Sequence, residues 1–149
     1  MAQTGQQPVL YRAFQFKVEI DGISQASFQE VGGLDATVDV IDYREGGDVL
    51  GTRKLPGQTK HSNLSLKRGF TVDTQLWDWF EDVMTGRTEN IRKHISVVQI
   101  DMAGKEVFRW TLYEAFPVKY TAASYNAKGN DLAIESLEIA YERIERQKG

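Results

Sequence analysis

The chain has no cysteine. That excludes disulfides, thiolate chemistry and cysteine-ligated metals together, so the fold must be held by packing alone. Histidine is nearly absent: His61 and His94 lie on different segments, and neither belongs to a ligand pair of the HxxxH kind. Both read as surface or edge-strand residues rather than as metal ligands or catalytic bases. No apolar run approaches the ~20 residues that a membrane-spanning helix needs, so no stable membrane insertion is expected. Residues 1–8 are polar and Gln-rich, without the basic and apolar regions of a signal peptide, which implies assembly in the cytoplasm. There is also no run of like charges. With a net charge of -3 and no basic cluster interleaved with aromatics, the chain repels phosphate rather than gripping it, so specific nucleic-acid binding is not expected.

The residues that are present suit a single domain over 1–149. A chain of this length can bury roughly 70% of the surface that its unfolded form exposes. Residues 1–10 read as a flexible arm. From 14 to 20, Phe14, Phe16, Val18 and Ile20 alternate with polar residues, the period of a half-buried strand, and Asp21-Gly22 supplies a turn. Further strands are expected over 24–31, 36–44 and 63–68, with a hairpin of 95–102 and 106–113 about Ala103-Gly104. Pro117 interrupts the next segment, so 118–124 reads as a separate short or edge strand, and 126–131 as a polar turn.

One helix is expected over 74–85. Asp73 is its N-cap, Val72 can staple to Trp77, and Leu76, Trp79, Phe80, Val83 and Met84 form one apolar stripe. Gly86 stands where a left-handed residue ends a helix. Trp77 lies off the stripe, which fits either the staple or burial at a subunit interface. Residues 45–60 carry several glycines, Pro56, Arg53 and Lys54 but few core residues, and read as a long loop or protruding hairpin; loops of this length are usually functional. The last segment, 132–144, is ambiguous. Ile134, Leu137, Tyr141 and Ile144 fit a helical stripe, whereas Leu137, Ile139 and Tyr141 fit a strand, with Leu132 and Ile134 out of phase. The count is about seven strands and one helix, a mainly β sandwich or barrel with a flanking helix.

No catalytic constellation emerges. Gly46, Gly47 and Gly51 have the glycine spacing of a phosphate-binding loop, but Arg53 follows Thr52 where the motif needs Lys before the hydroxyl residue, and no helix comes next. Asp39, Asp42, Glu45 and Asp48 lack the spacing and closing glutamate of a calcium loop and read as a solvated face. Asn63-Leu64-Ser65 matches a glycosylation sequon without a secretory context. No GxSxG elbow is present. No catalytic, cofactor or metal residue is nominated.

An ordered series of short motifs carries more. It begins with Phe28-Gln29-Glu30-Val31-Gly32-Gly33-Leu34, then Ile41-Asp42-Tyr43-Arg44-Glu45-Gly46 and Leu55-Pro56-Gly57. Leu64, Leu66-Lys67-Arg68-Gly69 and Leu76-Trp77-Asp78-Trp79 come next, then Ala115-Phe116-Pro117 and Asn130-Asp131-Leu132-Ala133-Ile134. Across nearly the whole chain this series resembles the tail tube protein family of contractile phages. It is most similar to the tube subunits of contractile injection systems such as the Photorhabdus virulence cassette and the antifeeding prophage.

The resemblance implies hexameric rings, each contributing to a large inner β-barrel, stacked into a hollow tube within a phage-like or extracellular particle. Its partners would be further copies of itself, a sheath protein, baseplate or spike and terminator proteins, and a tape-measure or cargo protein in the lumen. It also implies that 132–144 is a strand and that 45–60 contacts the adjacent ring. The interface candidates are then Tyr43, Arg44, Glu45, Gly46, Gly47, Asp48, Arg53, Lys54, Leu55, Pro56 and Gly57. Thr37, Asp39, Asn63, Ser65 and Lys67 are candidates to face the lumen. The alternatives are a secreted ring protein like the type VI secretion tube, which shares the fold, and a small-molecule-binding β-barrel.

Overall fold

The computed structural model describes residues 10, 15–23, 28–44, 46–47, 51–69, 72–87, 89, 91–122, 128–129 and 133–148. The expected arm over 1–10, the turn at 126–131, and Phe14, Glu45 and Asp48 fall largely or wholly outside them. In order the elements are β1 (Phe16–Ile20), β2 (Glu30–Gly32), β3 (Thr37–Tyr43), β4 (Arg53–Lys60), β5 (Leu64–Gly69), α1 (Gln75–Met84), β6 (Lys93–Ile100), β7 (Glu106–Thr121), β8 (Ile134–Ala140) and β9 (Arg143–Lys148). Seven strands form one antiparallel sheet, β1-β6-β7-β8-β5-β2, with β9 also paired to β7; β3 and β4 make a separate two-stranded ribbon.

The large sheet is two half-sheets that share β7. Its first half, Phe108 to Tyr113, lies between β6 and β9. Its second half, Phe116 to Thr121, pairs with β8. The change of sheet falls at Glu114, a non-glycine residue at φ 54. The chain makes the matching change at Tyr141 and Glu142, between β8 and β9, where the Glu142 N–H donates to the Tyr113 carbonyl at 3.0 Å. Arg92 closes this corner. Its Nη1 donates to a Glu142 carboxylate oxygen at 2.9 Å, and the guanidinium lies 5.0 Å from the Phe116 ring centroid.

Two expectations are corrected here. Pro117 does not end a strand: β7 runs through it, because a bulge between Pro117 and Lys119 accommodates the missing N–H. The final segment is not one strand but two, because the chain passes from one half-sheet to the other as it closes over the core. Ile134 needs no bulge. It faces out while Leu137, Ile139 and Tyr141 face in.

One core cluster draws on both halves: Val18, Ile20, Ile95, Val97 and Leu112 from one, Leu64, Leu66, Leu137 and Ile139 from the other. Helix α1 adds Leu76 and Trp79, and Trp79 Nε1 donates to the Ile91 carbonyl at 2.6 Å. The helix ends as expected. Gly86, at φ 77, donates to Val83, and Arg87 donates to Asp82, the paired bonds of a Schellman motif.

The helix start differs. Thr74 is the N-cap, and Asp73, one residue earlier, accepts from the Gln75 N–H at 2.9 Å. Val72 makes no staple, being 99% exposed, and Trp77 instead packs edge-on against Tyr120 at 5.1 Å. Met84, the last residue of the expected stripe, is exposed.

Glu114 gives a direct test of the corner. A left-handed non-glycine residue costs about 1–2 kcal/mol, part of which glycine returns through its greater unfolded-state entropy. Glu114→Gly is therefore expected to stabilise the subunit by about 0.5–1 kcal/mol and Glu114→Val to destabilise it, both read by thermal unfolding.

Candidate assembly surfaces

Residues 45–60 are not a loop throughout. Arg53 to Lys60 form β4, paired with β3 from Thr37↔Lys60 to Tyr43↔Arg53. A two-stranded ribbon is at best marginally stable in water without support, and this one projects with both faces largely exposed. Ile41 pairs with Leu55, and Tyr43 lies two residues further on, so these three share a face. Ile41 is 51% exposed and Leu55 46%. Val40 and Pro56 pair on the other face, beside the Asp42–Lys54 ion pair at 2.6 Å. A bulge between Val38 and Val40 bends the ribbon, and a Cβ on Gly57 would fall 3.0 Å from the Asp39 carbonyl oxygen, so glycine is what permits the close approach.

The root of the ribbon is fixed from several sides. Gly33 sits at φ 90, and a Cβ there would meet the Asn63 carbonyl oxygen at 2.1 Å, so no other residue fits. The Tyr141 hydroxyl lies 2.9 Å from the Gly33 carbonyl and 3.2 Å from that of Asp35, sharing its proton between them. Burial, the largest cause, pushes that hydroxyl above its ordinary pKa. His61 Nδ1 donates to the Asp35 carbonyl at 3.0 Å, and its ring lies 4.9 Å from that of Tyr141. The Ser62 N–H donates to the Asp35 carboxylate at 2.8 Å, which holds that carboxyl below its usual range. The ribbon therefore leaves the body at a set position. His94 lies elsewhere, on β6 against the Tyr113 ring at 5.1 Å.

The second surface is the outward face of the half-sheet β7-β8-β5-β2. Register partners share a face, so two rows cross it: Glu30, Lys67, Ser136 and Thr121, then Gly32, Ser65, Glu138 and Lys119. Both rows are polar or small. Lys67 is paired with Glu30 at 3.7 Å and Lys119 with Glu138 at 3.9 Å. Of the lumen candidates, Ser65 and Lys67 lie here. Asn63 precedes β5 and is exposed, whereas Thr37 and Asp39 belong to the ribbon, where Asp39 pairs with Lys60 at 3.1 Å. The five are thus split between two elements.

Beneath this face lies a network that the sequence pattern did not reveal. Arg68 and Glu135, each 3% exposed, are ion-paired through Arg68 Nε and a Glu135 carboxylate oxygen. The Tyr120 hydroxyl donates to the other Glu135 oxygen, and Arg68 Nη2 donates to the Asp73 carbonyl at 3.2 Å. The network thus ties β5, β7 and β8 to the start of α1. Its signal was present: Arg68 is in phase with Leu64 and Leu66, and Glu135 with Leu137 and Ile139.

A groove of about 460 Å³ opens where the half-sheets diverge, lined by Phe16, Val31, Leu34, Val97, Phe108 and Trp110 among others. A small-molecule reading would place its ligand there. Phe16, Val31, Leu34 and Trp110 are, however, packed against the core cluster.

Residues 12–145 match the family model described as T4-like virus tail tube protein gp19. The chain belongs to the T4-like tail tube protein family. Solved structures agree. A chain of the extracellular contractile injection system PVC sheath-tube complex, in its extended state, is 30% identical with a TM-score of 0.82, covering 94% of this chain and 93% of that one. A chain of the anti-feeding prophage tube-terminating cap is 26% identical with a TM-score of 0.82, covering 100% of both. Hcp1 from Flavobacterium johnsoniae, at 20% identity and a TM-score of 0.55 over 91% of this chain and 97% of that one, shares the fold. The search of curated proteins returned no significant match. The projecting ribbon and the polar sheet face are therefore features of a structural tube protein, and among the described residues no helix is long and apolar enough to cross a membrane.

Proposed function

We propose that this chain is the repeating subunit of the inner tube of a contractile, phage-tail-like injection particle. Six copies form a ring, rings stack into a hollow tube, and a surrounding sheath drives the tube through a target envelope. The near full-length likeness to a chain of a sheath-tube complex carries this reading. Sheath, baseplate or spike and terminator proteins are its partners, and a tape-measure or cargo protein occupies the lumen.

Each surface has a place in this scheme. The ribbon, with Ile41, Tyr43 and Leu55 uncovered, reaches the adjacent ring. Its tip around Arg44, Gly46 and Gly47 and its strand residues Arg53, Lys54, Pro56 and Gly57 complete that contact. The polar face of β5 and β8 lines the channel, where paired charges and short side chains offer passing cargo little apolar surface to hold it. The subunit acts as a rod element and carries out no catalysis.

Electron microscopy and sedimentation of the purified chain test the proposal. Rings or tubes are expected at moderate concentration, with sixfold top views. A strictly monomeric species at high concentration, with no particles, would overturn it.

A further inference from the structure

The ribbon has little to hold it against the body. Among the described residues β3 and β4 pack extensively only on each other. They are joined to the core by two short connections. Asp35 and Ala36 lead from Leu34, which packs on the core cluster, into β3. His61, Ser62 and Asn63 lead from β4 back to Leu64, which is fully buried. A ribbon on two such connections could pivot about them unless something fixes its angle. We propose that Tyr141 and Asp35 form a latch that holds the ribbon at the angle ring stacking requires, so that both are positioning residues for the contact between rings. The inference rests on the tube reading and adds to it which residues preset the stacking arm.

The geometry is that of a clamp on a turn. The Asp35 N–H donates to the Gly33 carbonyl at 3.0 Å, which closes a three-residue turn at the start of the arm. The Tyr141 hydroxyl reaches the carbonyls at both ends of that turn, Gly33 at 2.9 Å and Asp35 at 3.2 Å. The second connection is tied to the same turn. The Ser62 N–H donates to the Asp35 carboxylate at 2.8 Å, and His61 Nδ1 donates to the Asp35 carbonyl at 3.0 Å. The His61 ring also lies 4.9 Å from that of Tyr141. Rotating the ribbon would break these bonds together.

The clamp itself stands on rigid ground. Tyr141 is 8% exposed and sits where the chain crosses from β8 to β9. The next residue, Glu142, donates its N–H to Tyr113 and accepts from Arg92. The arm's angle is thus referred to the corner between the two half-sheets rather than to a loop.

The latch can be removed without removing the fold. In Tyr141→Phe the ring stays in place, and each carbonyl keeps a donor: Gly33 the Asp35 N–H, and Asp35 the His61 ring. In Asp35→Ala the change falls on an exposed residue, where water can serve the Ser62 N–H. Each variant is therefore expected to melt within about 4 °C of the parent. An arm that samples many angles must be ordered again at each contact, and apparent affinity falls with the fraction of subunits in the competent pose.

Two measurements test this. The chain lacks cysteine, so Arg53→Cys on the ribbon and Lys105→Cys on the β6–β7 turn give a single pair of sites for nitroxide labels. Pulsed electron spin resonance on dissociated subunits is expected to show a narrow distance distribution in the labelled parent and a broad one in the labelled Tyr141→Phe, Asp35→Ala double variant. Electron microscopy of the unlabelled double variant should show rings at the parent's concentration, but tubes only at a concentration about tenfold higher or more. Should the double variant fail to fold, Asp35→Ala alone carries both measurements, with the same outcomes expected. A distribution that stays narrow, or one that broadens while tubes form as in the parent, would overturn the latch and leave the tube reading intact. Absence of rings in the unmodified chain would overturn both.

Discussion

Arg68→Ala is expected to lower subunit stability by about 3–5 kcal/mol, the cost of leaving a buried carboxylate without its partner. Glu135 cannot relax toward water, because both residues of the pair are nearly fully buried. Among the described residues it would keep only the Tyr120 hydroxyl. Arg68 also donates to the Asp73 carbonyl, while Asp73 accepts from the first helical N–H, so the loss extends to the anchoring of α1. Total stabilities of single domains run to about 5–15 kcal/mol, so the variant should lie close to unfolding.

Replacing the pair together is a different change. Arg68→Met with Glu135→Leu removes both charges and should recover most of the loss, since apolar replacement of a buried pair is often neutral or better. Urea unfolding under conditions that keep the subunit dissociated provides the measurement. A loss below about 1 kcal/mol for Arg68→Ala would mean that water reaches the pair and that the network does not anchor the helix.

The ribbon should behave in the opposite way, with a large effect on assembly and little on folding. Ile41→Asp with Leu55→Asp places two carboxylates on a face that the subunit itself does not cover. Burying an Ile or Leu side chain contributes about 1.5–3 kcal/mol, so losing both would weaken each inter-ring contact more than a hundredfold, before the cost of desolvating the new charges. The expected outcome is a subunit with unchanged thermal unfolding that forms no tubes by microscopy. Removing residues 47–54 should give the same phenotype. Loss of folding in either variant would mean that the ribbon supports its own subunit, contrary to its exposure.

Much of this protein was legible in its sequence because the signals are local. The alternation ending at Ile20, the hairpin about Ala103-Gly104, the stripe of α1 and the glycine stop at Gly86 each depend on residues a few positions apart. The family was legible as well, from short motifs in order along nearly the whole chain. The absence of cysteine settled that packing alone must hold the chain.

Tertiary structure decided what depends on distant partners. Arg68 and Glu135 each fall in phase with apolar neighbours, but one strand's pattern cannot show that the opposite charge sits beside it on another strand. Pro117 looked like a strand end, because nothing nearby announces that β7 must cross from one half-sheet to the other at Glu114. Ile41 read as one residue of the strand over 36–44, because an apolar residue becomes a binding surface only when its own chain leaves it uncovered. Sequence spacing set which residues alternate; only the closing of sheet over core determined which of the two faces is inside.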